Sequence, residues 1–180
     1  MPEDNAPSRV EARFIEWMAA HGADRSRFWA AYNLISAGDL LVALYSEALH
    51  HFHITRDEWR ILLMLELVTE SEPRRLAESL WLGRSTVVNA VTRLEKRGLV
   101  VREPASNDRR LVIVRITPEG RELMEQGTNA EVDRLMELSW DLTKEETDLI
   151  ARLARNVWIS NYTRVPKSIL SSPRVGDAQH

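Results

Sequence analysis

The stretch RRLAESLWLGRSTVVNAVTRLEKRGLVVREPASNDRRLVIVRIT, Arg74 to Thr117, decides the fold. It predicts a short helix (Arg74 to Leu80), a turn at Trp81–Gly83 and a longer helix (Arg84 to Arg97). The longer helix stops at Gly98, a residue that accepts the left-handed backbone past a C-terminus. Lys96 and Arg97 fall in its last turn, where the helix dipole favours cations. Two β-like runs follow, Leu99–Arg102 and Leu111–Ile116, separated by a polar loop, Glu103 to Arg110, containing Pro104, Asn107 and Asp108. Helix, turn, helix and two-stranded ribbon together describe a winged helix-turn-helix, a module suited to duplex DNA.

The long helix divides into two faces. Val87, Ala90, Val91 and Leu94 recur at i, i+3, i+4 and i+7 and form the stripe to be buried. The opposite face carries Arg84, Ser85, Thr86, Asn89, Arg93 and Lys96. Short hydrogen-bonding groups near a helix N-terminus suit base edges, so Ser85, Thr86 and Asn89 are the candidates there. Arg84, Arg93 and Lys96 are the candidates for phosphates. The bland alternative is a solvated helix face, but the hairpin weighs against it. Its tip places Arg109 and Arg110 where a guanidinium can enter the minor groove. Asp108 is positioned to support one of them through a bidentate pair.

The run LEKRGLV (Leu94–Val100), then Asp108-Arg109-Arg110, then ITPEGR (Ile116–Arg121) resembles the MarR family of bacterial transcriptional regulators. The resemblance extends over roughly Asn33 to Asn161, with the motifs in the family's order; the family's Asp-x-Arg falls on Asp108 and Arg110. It implies a homodimeric regulator, more often a repressor, that leaves DNA when a small molecule binds. The chain departs from the family at the turn: Trp81 stands where Gly is usual, and Gly83 where Ser caps the recognition helix.

Composition sets outer bounds. With 180 residues, 44% of them hydrophobic, the chain fits one domain with an elaborated dimer interface. The net charge of −3 is unlike that of a DNA binder. Its distribution is different: Arg74 to Arg110 holds nine Lys and Arg against four Asp and Glu, a local +5, leaving −8 on the rest. A basic reading module on an acidic body localises attraction to DNA. No run of apolar residues reaches membrane-spanning length and the N-terminus lacks a signal h-region, so no membrane partner and a cytoplasmic location are expected. The absence of cysteine fits that location and excludes a thiol-oxidation switch.

In chain order, the expected fold is mainly α with a small β-wing. Residues 1–7 and 166–180 read as flexible tails. Residues 8–52 form N-terminal helices of a dimerisation region, 55–116 the winged helix-turn-helix, and 117–163 C-terminal dimerisation helices. Ser8 to Ala20 is amphipathic, with Val10, Phe14, Trp17 and Met18 on one side. Arg25 to Phe52 is a long helix in which Gly38 predicts a kink or a close crossing. Thr55-x-x-Glu58 and Thr143-x-x-Glu146 are capping boxes, and Thr117-Pro118-Glu119 is a helix start.

The resemblance places an effector pocket beside the inner end of the Arg25–Phe52 helix, flanked by the helix that Thr55 begins. Trp29, Tyr32, His51, His53, Trp59, Arg60 and Leu63 are the candidate ligand residues. Trp59 and Leu63 also fit a core, and Arg60 a solvated cation or the partner of a ligand carboxylate. The aromatic lining suggests a planar aromatic effector, an acid or its thioester. The N-terminal helix with Trp17 resembles the urate-responsive subset. Arg60 stands where those proteins carry Asp, however, and Asn89 where they carry Arg, so urate is not the expected effector. His50, His51 and His53 raise a zinc-responsive alternative, but three His within four residues cannot share one site on a regular helix, and no metal site is assigned. No nucleophile motif, phosphate-binding Gly loop or zinc motif is present, so neither enzyme activity nor a cofactor is expected. A winged helix used only for protein contacts is the remaining alternative.

Overall fold

The computed structural model describes residues 7–105, 111–138 and 142–164. The chain divides into two compact units at Leu44/Tyr45. The first contains α1 (Arg9–Ala20) and the N-terminal part of α2 (Arg25–His50). Ser8 caps α1 through a full capping box with Glu11. Hydrogen bonds from the Ser8 hydroxyl and backbone hold the Glu11 carboxyl below its usual range. Aromatic rings join the two helices. Phe14 meets Phe28 edge-on at 5.1 Å between centroids and Tyr32 at 6.0 Å, and Trp29 stacks on Tyr32 at 5.7 Å. Arg25 donates to Glu16 at 2.6 Å.

The second unit holds the end of α2, then α3 (Arg56–Val68), β1 (Glu70–Ser71), α4 (Pro73–Leu80), α5 (Arg84–Lys96), β2 (Val100–Pro104), β3 (Val112–Ile116), α6 (Pro118–Glu137) and α7 (Lys144–Asn161), closing on a 3-10 turn, Tyr162–Arg164. The expected fold class is the observed one. The core is built where α3, α4, α5 and the sheet meet. Ile61, Leu62 and Leu65 of α3, Leu76 of α4, the α5 stripe Val87, Ala90, Val91 and Leu94, and Val100 and Val114 of the wing are all fully buried.

Four expectations need correction. The ribbon is a three-stranded antiparallel sheet ordered β1-β3-β2, with Glu70 opposite Arg115 and Val100 opposite Ile116. β1 has two residues, too short to show any alternation. Second, β2 runs from Val100 to Pro104 rather than ending at Arg102; Pro104 is tolerated at the strand end, opposite Val112. Third, α2 passes unbroken through Gly38, where an added Cβ would meet nothing within 4 Å. Among the described residues nothing crosses close to it. Fourth, α2 is long and apolar enough by length and composition to cross a membrane, with an 18-residue window of mean hydropathy 1.2. One such helix is weak grounds for a membrane partner, since the core helix of a soluble protein and a signal sequence pass the same test.

Two helix ends show how local chemistry fixes the reading head. α5 ends on Gly98 at φ 73°, with Leu99 N–H bonded to Leu94 O (2.9 Å) and Gly98 N–H to Glu95 O (2.9 Å). This is the left-handed stop that its glycine predicts. α4 ends in the same way on Trp81 (φ 57°, ψ 37°), whose N–H bonds Ala77 O, as does that of Leu82 at 3.0 Å. A left-handed conformation costs an L-residue roughly 1–2 kcal/mol. At the start of α6, Thr117 accepts from Gly120 N–H and donates to Gly98 O. Gly120 lies so close to Leu99 that a Cβ would stand 2.0 Å from its carbonyl oxygen.

Candidate DNA interface

α5 exposes one face over its buried stripe. Arg84, Ser85, Asn89, Arg93 and Lys96 are exposed and Thr86 is half-buried. Among the described residues, the side chains of Arg84, Ser85, Asn89 and Lys96 make no hydrogen bond or ion pair. Gly83 caps the helix without a side-chain hydrogen bond, so no cap side chain occupies the first-turn N–H groups at the positive end of the dipole. Arg93 is placed differently from its neighbours. Its Nε donates to Glu58 Oε1 at 2.6 Å, and Glu58 is buried at 4% exposure. The same carboxylate closes the α3 capping box, accepting from Thr55 N–H (2.9 Å) and Thr55 Oγ (3.0 Å).

Three residues outside the sequence-derived set hold this face in place. Arg97 donates to the carbonyls of His53 (2.5 Å) and Phe52 (3.2 Å), fixing the α2–α3 connection to the end of α5. Arg102 of β2 donates to Thr92 Oγ1 (2.5 Å) and lies 3.4 Å from Glu95, joining wing to helix. Arg115 ties the three strands together, pairing with Glu70 on β1 and Glu103 on β2. The ion pair with Glu70 raises the Arg115 pKa. The alternation of β3 gives no hint of these partners, which come from other strands. The wing-tip residues Asp108, Arg109 and Arg110 lie outside the described residues.

Two of the candidate effector residues fall in the first unit and five in the second. Trp29 and Tyr32 belong to the aromatic stack of the first unit. In the second, His51 and His53 are exposed, and His53 takes a left-handed backbone at φ 50°. The Arg60 guanidinium is engaged, donating to Leu80 O at 2.6 Å and pairing with Asp57 at 3.3 Å. It therefore serves the C-terminus of α4. Leu63 packs against the core, as does Trp59. Trp59 also abuts Gly127 of α6, where a Cβ would come within 3.0 Å of Trp59 Cδ1 and of Leu49 Cδ2. Trp59 Nε1 and Glu131 Oε1 are buried without hydrogen-bond partners among the described residues. Burial raises the Glu131 pKa, against a smaller lowering by Arg56. A separate cleft of about 440 Å³ opens between Met64 and Val68 of α3, β1, α4 and the wing, and holds none of the seven. The His50 ring lies 6.3 Å from that of His51 and 6.5 Å from that of His53. Among the described residues, no trio of His, Cys, Asp or Glu is arranged to hold a metal ion.

Comparison with known proteins agrees with this geometry. The sequence model of the MarR family matches residues 54–111. The HTH-type transcriptional regulator FarR of Neisseria gonorrhoeae is 34% identical over 127 residues, spanning 68% of this chain and 86% of that protein. The uncharacterized HTH-type transcriptional regulator YwaE of Bacillus subtilis is 30% identical over 122 residues, 68% of this chain and 71% of that one. Among solved structures, wild-type apo MarR of Escherichia coli superposes with a TM-score of 0.62 at 25% identity, over 71% of this chain and 94% of that one. A point mutant of the same MarR, complexed with operator DNA, gives 0.67 at 24%, over 75% and 99%. FarR and YwaE are both named as transcriptional regulators. The chain belongs to the MarR family and is a winged-helix, DNA-binding transcriptional regulator.

Proposed function

We propose that the protein is a cytoplasmic homodimeric repressor that reads a near-palindromic operator and is released by a small aromatic compound. The observation that carries the reading is the face of α5, where Arg84, Ser85 and Asn89 in the first turns and Lys96 in the last stand exposed, their side chains without a partner among the described residues, beside a β-wing. In this reading Ser85, Thr86 and Asn89 meet base edges, Arg84 and Lys96 meet phosphates, and Arg109 or Arg110 enters the minor groove. Arg93 reaches phosphate only as far as its pairing with Glu58 allows. Two copies place their recognition helices in successive major grooves, about 10 base pairs apart.

Support for a second copy comes from apolar side chains that the protomer leaves open. Val10 and Trp17 on α1, Ile35 and Leu40 on α2, and Leu153 and Val157 on α7 are all at least half exposed. Support for an effector comes from the orphaned donor of Trp59 and the unfilled acceptor of Glu131, since buried polar groups without partners are rare in folded proteins. Among structural neighbours, CouR of Rhodococcus jostii is bound to p-coumaroyl-CoA, and DNA binding by BpsR of Bordetella bronchiseptica is regulated by 6-hydroxynicotinic acid. An effector acts here by binding two head spacings with different affinity.

The test is fluorescence anisotropy on a duplex from upstream of the protein's own gene, against a scrambled duplex, over roughly 50–200 mM salt. Selective binding that weakens with salt is expected, followed by release on addition of an aromatic acid or its thioester. Absence of binding even at low salt would replace this reading with a protein-contact module.

A further inference from the structure

We propose that Trp81 and Trp158 form a positioning pair through which α7 sets the orientation of the helix-turn-helix corner, and so of α5. The proposal rests on the DNA-reading function above and adds to it a route from the C-terminal helix to the reading head.

Trp81 occupies a left-handed backbone at the C-cap of α4, at φ 57° and ψ 37°. The chain uses glycine for the equivalent stop at Gly98, after α5. A bulky side chain kept in such a conformation persists where surrounding structure holds it there. The Trp81 indole meets that of Trp158, on α7, at 5.7 Å between centroids and an interplanar angle of 87°. This edge-to-face geometry is the favoured one for an aromatic pair. The backbone transmits the contact in both directions. Trp81 and Leu82 N–H both bond Ala77 O, Leu82 is buried, and α5 begins two residues later at Arg84. A shift of the Trp81 ring is therefore a shift of the α4–α5 corner. On the other side, α7 buries no residue of its own and Trp158 stays 46% exposed. The ring contact thus ties α7 to the corner, so that movement of α7 reaches Trp81.

The experiment uses full-length protein carrying Trp81→Gly, Trp158→Ala, both together, or Trp158→Phe. Each is read by operator anisotropy, sedimentation, thermal denaturation and far-ultraviolet circular dichroism, where two coupled indoles give paired bands of opposite sign. Trp81→Gly and Trp158→Ala should each weaken operator binding about three- to tenfold, the range an aromatic pair supplies. The double variant should bind no more weakly than the weaker single, because both remove the same contact. Trp158→Phe should restore affinity to within about twofold of wild type, since an edge-to-face partner remains. The paired bands should vanish in both single variants. Trp81→Gly should keep its melting temperature and dimeric state, since glycine adopts this backbone freely; a loss of affinity in that variant is then one of position and not of folding. Wild-type affinity in Trp81→Gly, losses that multiply in the double variant, or failure of Phe to rescue would each overturn the pair. A wild-type protein that binds no operator would overturn the DNA-reading proposal and this one together. A binding wild type with indifferent variants would overturn this one alone.

Discussion

Glu58 illustrates how much one residue of this chain can hold. It closes the cap of α3 and receives Arg93 from a helix 35 residues further along. Arg93→Ala leaves that buried carboxylate one partner short, which costs about 1–3 kcal/mol. The guanidinium is 53% exposed, and solvent screening puts the expected loss at the low end. Thermal denaturation checks it, and an unchanged melting temperature would contradict a structural role for the pair. Gly120→Ala should be more damaging. The added Cβ would overlap the Leu99 carbonyl, which is backbone and not the end of a flexible side chain. A loss of about 3 kcal/mol or more is expected, against the usual 1–3 for overpacking, read as a lower denaturation midpoint. Glu131 gives a pH signature. Its pKa is raised by burial, so its contribution to folding is present below the unfolded value and fades as pH rises through the folded one. Glu131→Gln should therefore raise the melting temperature by about 1–2 °C at neutral pH. The gain should disappear below the ordinary carboxyl pKa of 4.5. A gain that persists in acid would point to packing instead. At this scale the caps were legible, because Thr55 and Glu58 or Thr143 and Glu146 lie three residues apart and bond within one turn. Gly120 was not, because its role is set by a carbonyl on another element.

At the scale of elements, α5 was read from its period alone. Val87, Ala90, Val91 and Leu94 are the residues the helix buries. The opposite face separates into two kinds of expected phenotype. Asn89→Ala should cost about 1–3 kcal/mol of operator affinity and relax sequence preference at one base position. Lys96→Ala should weaken specific and scrambled duplexes alike and reduce the salt slope by about one. Neither side chain has a described partner, so neither change should move the melting temperature. Anisotropy titrations on both duplexes at several salt concentrations separate the two, and a sequence-selective effect of Lys96→Ala would reverse the assignment. The sheet was only partly legible. β2 and β3 carry hydrophobic alternation and a turn-rich loop, whereas β1 exists only because β3 offers it an edge and Arg115 pairs with Glu70.

At the scale of the molecule, α1, α2 and α7 each leave apolar side chains exposed. Leu153→Asp places a charge on the exposed apolar side of α7. If a second copy covers that side, the variant should sediment as a monomer and lose operator binding by at least about tenfold, while retaining its helical circular dichroism. A dimer that survives the change would move the interface elsewhere. The sequence alone determined the order of helices, the stripe of α5, the helix caps and the glycine stop after α5. Each depends on residues within about one helical turn, where period, dipole and cap chemistry act directly. Only the tertiary structure decided that Arg93 is held by Glu58, that Arg60 serves the end of α4, that Arg97 anchors the α2–α3 connection and that Trp81 meets Trp158. Those pairings join residues distant in the chain, and no local preference selects among the many arginines and aromatics available. The packed core brings a particular pair within reach, and desolvation then makes that pairing matter.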